Sequence, residues 1–416
     1  MKRNILLLSA FVCLQTINAQ INNPVDVIKN ATTDHANNDM DNGANSGLDK
    51  AEQGIGGLFH KKKKDKKDDA DNSNATTDNS ASSTDNAVPS IKSYQNYDFV
   101  PGDTIIFADD FTEDQNGEFP SHWDLTKGQA VVNKVVDKPA FCLTDGNYCN
   151  VLPRMKKISY LTNPFTIEFD TYNDGNGDES PILFLSYTDK DGNNAEGEIE
   201  FDRGDNEGRG DVALSAFPNN LNADLPKELI SNYVNHWHHC AIVYKNNQLK
   251  CYVDQYRVLV VPNLDCVPTS FGFEGIGDQD HPIMITNVRA ASGGNMNMIG
   301  KKFTDAKIVT HGINFDVDKS TLRPESMGTL NMIVGVLKNN PDLKFEIDGH
   351  TDNSGDAAHN LTLSQQRADA VKAQLVSMGI DASRLTTKGF GDTKPISDNT
   401  TPEGKANNRR VEFVRM

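Results

Sequence analysis

Asp352 and Arg367 stand 15 positions apart, the aspartate closing the run Gly349-His350-Thr351-Asp352 and the arginine inside a stretch with helical periodicity. A carboxylate pairs with an ammonium, and a guanidinium fork holds a carboxylate through two parallel N–H bonds. One zwitterionic end of a ligand satisfies both, so the pair reads as an amino-acid receptor. Between them Thr351, Ser354 and Gly355 form a loop whose backbone amides can approach a carboxylate. The plainer alternative is an intramolecular Asp352–Arg367 salt bridge. No nucleophile–base pair and no metal-ligand spacing is evident around these residues, so this region is expected to bind and not to catalyse.

Three other constellations could carry chemistry. Glu196, Glu198, Glu200 and Asp202 alternate with Gly197, Ile199 and Phe201, which places the carboxylates on one face of a strand. Paired carboxylates can act as nucleophile and acid/base in glycoside hydrolysis, and a solvent-facing strand has the same pattern. The oxygen-rich segments Asp174–Glu179 and Asp189–Asn194 are calcium candidates, although neither has the EF-hand spacing, and ordinary turns share their composition. His236, His238 and His239 lack companion ligands at metal-site spacing, which points to surface or half-buried histidines.

The elements that must position these residues fall into blocks of different composition. The net charge of −17 argues against nucleic acid as a partner, and residues 96–300 alone hold 31 acidic against 14 basic side chains, while 301–416 are nearly neutral. Lys2 and Arg3 before an apolar run, with Ala19 before Gln20, have the layout of a signal peptide over 1–19. Cys13, the acylation candidate in a lipoprotein reading, follows bulky Phe11 and Val12. No apolar run reaches the roughly 18 residues of a membrane helix, so any outer-membrane association is expected to be indirect. Residues 20–95 are rich in Asn, Asp, Ser and Thr and are expected to be a disordered tail. Its run Lys61–Lys67, broken only by Asp65, is either a handle for an anionic surface or a solvated charge run.

Short alternating segments between Asp/Asn/Gly turns predict an all-β sandwich over 96–290, with strands at 104–108, 165–172, 182–187, 196–201, 240–244, 249–253 and 257–261. A membrane β-barrel is the alternative, but it needs segments of about ten residues with aromatic girdles. Asn246-Asn247 predicts a tight hairpin that puts Cys240, Ile242 and Tyr244 on the face of Leu249, Cys251 and Val253. A second turn at Asp145-Gly146 would set Cys142 opposite Cys149, the favoured disulfide among five cysteines outside the leader. After a linker at 291–301, residues 302–416 alternate strand and helix patterns. A strand carrying Val309 to Val317 comes first, followed by a helix after Pro324, a strand at 345–349, a helix ending at Gly379, and strands at 384–388 and 410–414. The expected layout is α+β, with two main helices on a mixed sheet of about four strands.

Two resemblances add to this reading. "FADDFTEDQNGEFPSHWDL" (107–125) and "HWHHCAIVYKNNQLKCYVDQYRV" (236–258) resemble laminin-G-like, concanavalin-type jelly rolls, which implies a module binding a glycan or protein, some with calcium. Laminarinase-type hydrolases carry a similar E-x-D-x-E-like array, with Glu200 here in place of its aspartate, which keeps a glycan-degrading enzyme with a targeting C-terminal domain as the competing function. "INFDVDKSTLRPES" (313–326), "IDGHTDNSGDAAHNLTLSQQRADAVKAQL" (347–375), "SRLTTKGFGDTKPI" (383–396) and "NNRRVEF" (407–413) resemble the C-terminal domain of the outer-membrane protein A family, also seen in peptidoglycan-associated lipoprotein and flagellar stator proteins. The resemblance implies noncovalent peptidoglycan binding in the cell envelope of a Gram-negative bacterium, in the periplasm or at the outer membrane, with no cofactor. It assigns Asp352 and Arg367 to the free end of diaminopimelate in the stem peptide. It also implies that Asn360 bonds the ligand or holds the loop, with capping of the second helix as its other role, and that Asp318 and Arg409 rim the pocket.

Overall fold

The computed structural model describes residues 90–175, 180–202, 210–293 and 303–416. The expected leader with Cys13, the lysine run and the tail up to residue 89 lie outside the described residues, as do 176–179 of the first calcium candidate and 294–301 of the expected linker. The last tail residues, 90–95, form a turn in which Tyr94 is buried, so apolar anchoring begins before the expected boundary at 96. Ala291 and Ser292, expected in the linker, belong to a strand.

Alternation of apolar and polar residues makes the acidic block an all-β region. Its strands are β1 (Thr104–Asp109), β2 (Trp123–Val135), β3 (Lys138–Pro153), β4 (Phe165–Asn173), β5 (Ile182–Thr188), β6 (Asn194–Asp202), β7 (Asp211–Ser215), β8 (Asn222–Asp224), β9 (His236–Lys245), β10 (Gln248–Val253), β11 (Tyr256–Val261), β12 (Val267–Gly277) and β13 (Ile283–Ser292), with a four-residue helix α1 (Lys227–Ile230). They pair as one nearly closed sheet of 13 antiparallel strands, in the order β11-β10-β9-β4-β13-β3-β12-β5-β6-β7-β8, with β1 beside β13 and β2 beside β3. The inward side chains form one core that includes Phe141, Phe169, Phe271 and Phe273. Trp123 is fully buried in it, between Phe107 and Phe111, and its Nε1 donates to Asp109 Oδ2 at 2.9 Å.

The predicted hairpin forms between β9 and β10. Asn246 and Asn247 take φ of +50° and +70°, the left-handed pair that a tight hairpin turn needs. Tyr244 then faces Leu249, Ile242 faces Cys251, and Cys240 faces Val253, as the alternation predicts. The Cys142–Cys149 bridge is not formed. The segment from Lys138 to Pro153 belongs throughout to β3, but its register shifts between Asp145 and Asn150, which pair with Gln129 and Lys127 of β2, so Asp145-Gly146 opens a bulge and not a two-residue hairpin turn. Cys142 pairs with Val131 of β2 and Met284 of β13, whereas Cys149 pairs with Gly275 of β12, so the two cysteines are not set opposite each other. The Cys142 thiol donates to Ala140 O and the Cys149 thiol to Gln129 O.

The C-terminal region is α+β as expected. It comprises β14 (Lys307–Thr310), α2 (Met327–Asn339) after a single 3₁₀ turn at Pro324–Ser326, β15 (Phe345–His350), α3 (Ala357–Ser377), β16 (Leu385–Gly391), α4 (Pro402–Asn408) and β17 (Val411–Arg415). The sheet order is β14-β17-β15-β16, with β15 and β16 parallel and the other pairs antiparallel. Leu330, Ile333, Leu337, Val371 and Leu375 recur at helical spacing and bury against Phe345, Ile347 and Phe413. The first strand is shorter than its alternation predicts. Thr310 pairs with Val411, the first residue of β17, so no ladder partner remains beyond it, and Val317 is 92% exposed.

Residues 94–100 join the two regions. Tyr94, Tyr97, Phe99 and Val100 pack between Tyr252 of β10 and the apolar face of α2 in one continuous cluster. Asn331 Nδ2 donates to the carbonyls of Gln95 and Tyr97, both at 3.0 Å.

Candidate functional site

Asp352 lies two residues beyond His350, the last residue of β15, where the chain leaves the sheet and enters the loop to α3. It is buried. Oδ1 accepts from the Ser354 amide at 2.9 Å, and Oδ2 from Arg409 Nη1 at 2.7 Å. Burial pushes its carboxyl up, but the Arg409 guanidinium and the Ser354 amide outweigh that and hold it below the usual carboxylate range. The aspartate is therefore an anion whose direct partner is Arg409.

Arg367 makes no bond to Asp352. Its Nε donates to Lys319 O at 3.0 Å, and its guanidinium carbon lies 5.0 Å from the centre of the Phe315 ring. Burial and the like charge of Arg409 lower its pKa. A guanidinium stays protonated under any ordinary condition, so the result is a half-buried cation whose terminal nitrogens, among the described residues, are left for another acceptor.

The remaining expected residues lie in or beside this loop. Asn360 lies in the first turn of α3 and donates through Nδ2 to the carbonyls of Asp352 and Ser354, which ties the loop shut. The cap of α3 is Asp356, whose Oδ1 accepts from the Ala358 and His359 amides. Thr351 is buried and its amide donates to Gly391 O. Gly355 takes φ +84° in open space, the conformation that lets the loop turn into α3. Asp318 is exposed and pairs with His359 at 2.6 Å.

Arg367, Ser354 and Arg409 open into a cleft of about 310 Å³. Its far wall comes from the all-β region and carries Asp109, Asp110, Glu113 and His122. Lys405 of α4 forms an ion pair with Glu113 across the mouth. Burial raises the Asp109 carboxyl to about 6 despite its bonds from the Phe111 amide and Trp123. The cleft thus sets Arg367 and Arg409, with Arg323 and Arg410 on the same side, against a wall rich in carboxylates that also carries Arg289.

Residues 314–409 match the model of the OmpA family. The C-terminal region is an OmpA-family domain. Three relatives align with about a quarter of this chain. A probable lipoprotein YiaD of Escherichia coli is 45% identical over 104 residues, which is 25% of this chain and 48% of that protein. An outer membrane protein A of Bordetella avium is 47% identical over 110 residues, covering 26% and 56%. A peptidoglycan-binding protein ArfA of Mycobacterium tuberculosis is 44% identical over 107 residues, covering 26% and 33%. The chain spans about half the length, or less, of YiaD and ArfA.

Within the OmpA-family domain, the spacing of motifs did not reveal Phe315 beneath Arg367, the Lys319 carbonyl, or the His359 partner of Asp318. These contacts depend on how the loop 311–323 folds back onto α3. The opposite wall of the cleft lies about 200 residues or more upstream, and no local signal connects it to Arg367.

The constellations of the all-β region take other roles. Glu196, Glu198, Glu200 and Asp202 do share the outer face of β6. Glu198 accepts from Ser215, and burial with the neighbouring carboxylates raises Glu200. Asp189 accepts from the Asp191 and Asn193 amides, so its segment is an ordinary turn closed by its own side chain. The three histidines diverge. His236 Nδ1 contacts Val234 O, and His238 is fully buried between Asp254 and Tyr233 O, deeper than expected. His239 bonds Asp170 at 2.9 Å.

Proposed function

We propose that the protein binds peptidoglycan noncovalently in the cell envelope, and that the free end of diaminopimelate is the group held by its OmpA-family domain. One observation carries this reading. An ionised Asp352 begins the loop to α3, and Arg367, with free terminal nitrogens, lines one cleft together with Ser354 and Arg409, the two partners of Asp352, within a segment of the OmpA family. An ammonium bonded to Asp352 and a carboxylate gripped by Arg367 match a zwitterionic ligand end. Arg409 fixes Asp352, while Asn360, Thr351, Ser354 and Gly355 shape the loop and Asp318 sits on its rim. The relative bearing the words "peptidoglycan-binding protein" supports the same assignment. The domain holds its ligand without turning it over, and the all-β region engages a glycan or protein of its own. An envelope location, in the periplasm or at the outer membrane, follows from the ligand.

Co-sedimentation of the full chain with purified sacculi tests the reading. Asp352→Ala and Arg367→Ala should each weaken binding by about 10- to 100-fold, the worth of a charge-assisted hydrogen bond at about 1.5–3 kcal/mol. Sacculi with lysine in the stem should bind poorly, because lysine lacks the second carboxylate. Undiminished binding by both variants would show that the site lies elsewhere.

A further inference from the structure

On the sheet face turned away from α2 and α3, Asp348 and His350 of β15 project beside Glu412 of β17, the register partner of Asp348. All three are buried, with exposures of 7%, 5% and 5%. One ligand atom from each lies within 4.8 Å of the others. Among the described residues, neither ring nitrogen of His350 has a hydrogen-bond partner, and Asp348 Oδ1 has none. A buried imidazole with both nitrogens unsatisfied is rare and calls for a missing partner. The ring is held in place, stacked on Phe390 with 5.2 Å between centroids and 6° between planes.

We propose that Asp348, His350 and Glu412 form a site for a divalent transition-metal ion of borderline softness, with zinc as the reference ion. One imidazole and two carboxylates suit such an ion, and bonds of about 2.1 Å would draw the ligand atoms to about 3.4 Å in a tetrahedral arrangement. The basic neighbours are compatible with it. Arg410 Nε donates to Glu412 Oε1 at 2.8 Å, the hydrogen bond that a ligating carboxylate ordinarily receives from outside the site. Lys307 Nζ holds Oε2 at 2.7 Å, but its side chain is 46% exposed and can swing into water when a cation takes that oxygen. Glu346, two residues before Asp348 on the same face, adds a further negative charge. The ion would brace the end of β15 two residues before Asp352, yet the site does not depend on what Asp352 binds.

Isothermal titration of the metal-stripped full chain with zinc sulfate should show one equivalent bound. Asp348→Asn and His350→Gln should each weaken it by at least about 10-fold. Lys307→Ala, which removes a competitor and leaves the core untouched, should tighten it by up to about 5-fold, the worth of an exposed ion pair. No zinc uptake overturns the proposal, as does binding that all three variants leave unchanged. X-ray absorption showing sulfur ligands would also overturn it by placing the ion on the buried cysteines.

Discussion

Phe315 is the platform on which Arg367 rests, and it does this without carrying charge. The ring lies 5.0 Å from the guanidinium carbon while Lys319 O takes Nε, so the plane of the fork is set before any ligand arrives. Such a pre-set fork loses less conformational entropy on binding a carboxylate. Phe315→Ala should therefore weaken sacculus binding by about 2- to 30-fold, corresponding to about 0.5–2 kcal/mol for a cation–π contact. Phe315→Tyr should retain most of it. Titration with a diaminopimelate-containing muropeptide measures both, and an unchanged affinity for Phe315→Ala would remove the ring from the site. Arg409 acts differently. It bonds Asp352 directly and lowers the pKa of Arg367, so it sets the charge balance of the pocket as well as its rim.

Helix α2 owes its position to a glycine. A Cβ on Gly328 would stand 1.7 Å from Phe99 O, so only glycine lets the 94–100 segment lie against the start of the helix. Gly349 has the same role in β15, where a Cβ would meet Ser364 O of α3 at 2.2 Å. Both obstacles are backbone atoms and cannot rotate away. Gly328→Ala should lower stability by about 1–3 kcal/mol, the usual cost of overpacking. The gain in helix propensity, about 1 kcal/mol, offsets part of that. Urea denaturation compares the variant with the parent, and equal midpoints would show that residues 94–100 do not press on α2. Helix α4 reaches the other region through Asn407, which donates to Ile105 O at 2.8 Å and accepts from the Ile105 amide at 3.0 Å. Asn407→Ala leaves both groups of β1 without that partner, and the Ile105 amide should exchange with deuterium faster in consequence.

A buried charge network holds the two regions together. Arg289 of β13 grips Glu168 of β4 at 2.7–3.0 Å and donates to His311 O of the OmpA-family domain. Arg323 returns the contact, 3.6 Å from Asp170 of β4. His239 lies between Asp170 and Glu168. Burial lowers its pKa, but the two carboxylates raise it more, to about 10. Both carboxylates are held below their usual range against the penalty of burial, by His239 together with Arg289 at Glu168 and Arg323 at Asp170. An unfolded histidine titrates near 6.5. Below that pH both states carry the proton, and the contribution of His239 to stability is fully present. Between about 6.5 and 10 the unfolded chain has released a proton that the folded chain keeps, so stability declines as pH rises. The carboxylates contribute above about 4 and lose their contribution as pH falls through that range. Melting temperatures should accordingly peak at mildly acidic pH and fall towards pH 9.5. In His239→Gln the alkaline decline should flatten, and an equally steep decline in that variant would assign it to other groups.

What chain order alone determines here is local. Alternation, Asn-Asn and Gly turn signals and the Pro324 and Gly379 boundaries act over a few residues, so strand and helix positions, the β9–β10 register and the Asp352–Arg367 offset can be read before any fold is known. The same logic failed where a local signal was overruled by distant pairing. Asp145-Gly146 reads as a tight turn, yet β2 pairs with β3 on both sides of it while β13 pairs with Cys142 and β12 with Cys149, so the segment bulges within one strand and Cys142 does not come opposite Cys149. The alternation from Val309 to Val317 reads as one strand, yet β17 supplies partners only as far as Thr310. Tertiary structure alone decided that Asp352 pairs with Arg409, that an acidic wall from the all-β region faces Arg367, and that His350 and Asp348 meet Glu412. Those juxtapositions are made by residues 57 to more than 250 positions apart or by register between strands, and their energies arise only when burial removes the water that would otherwise screen each charge.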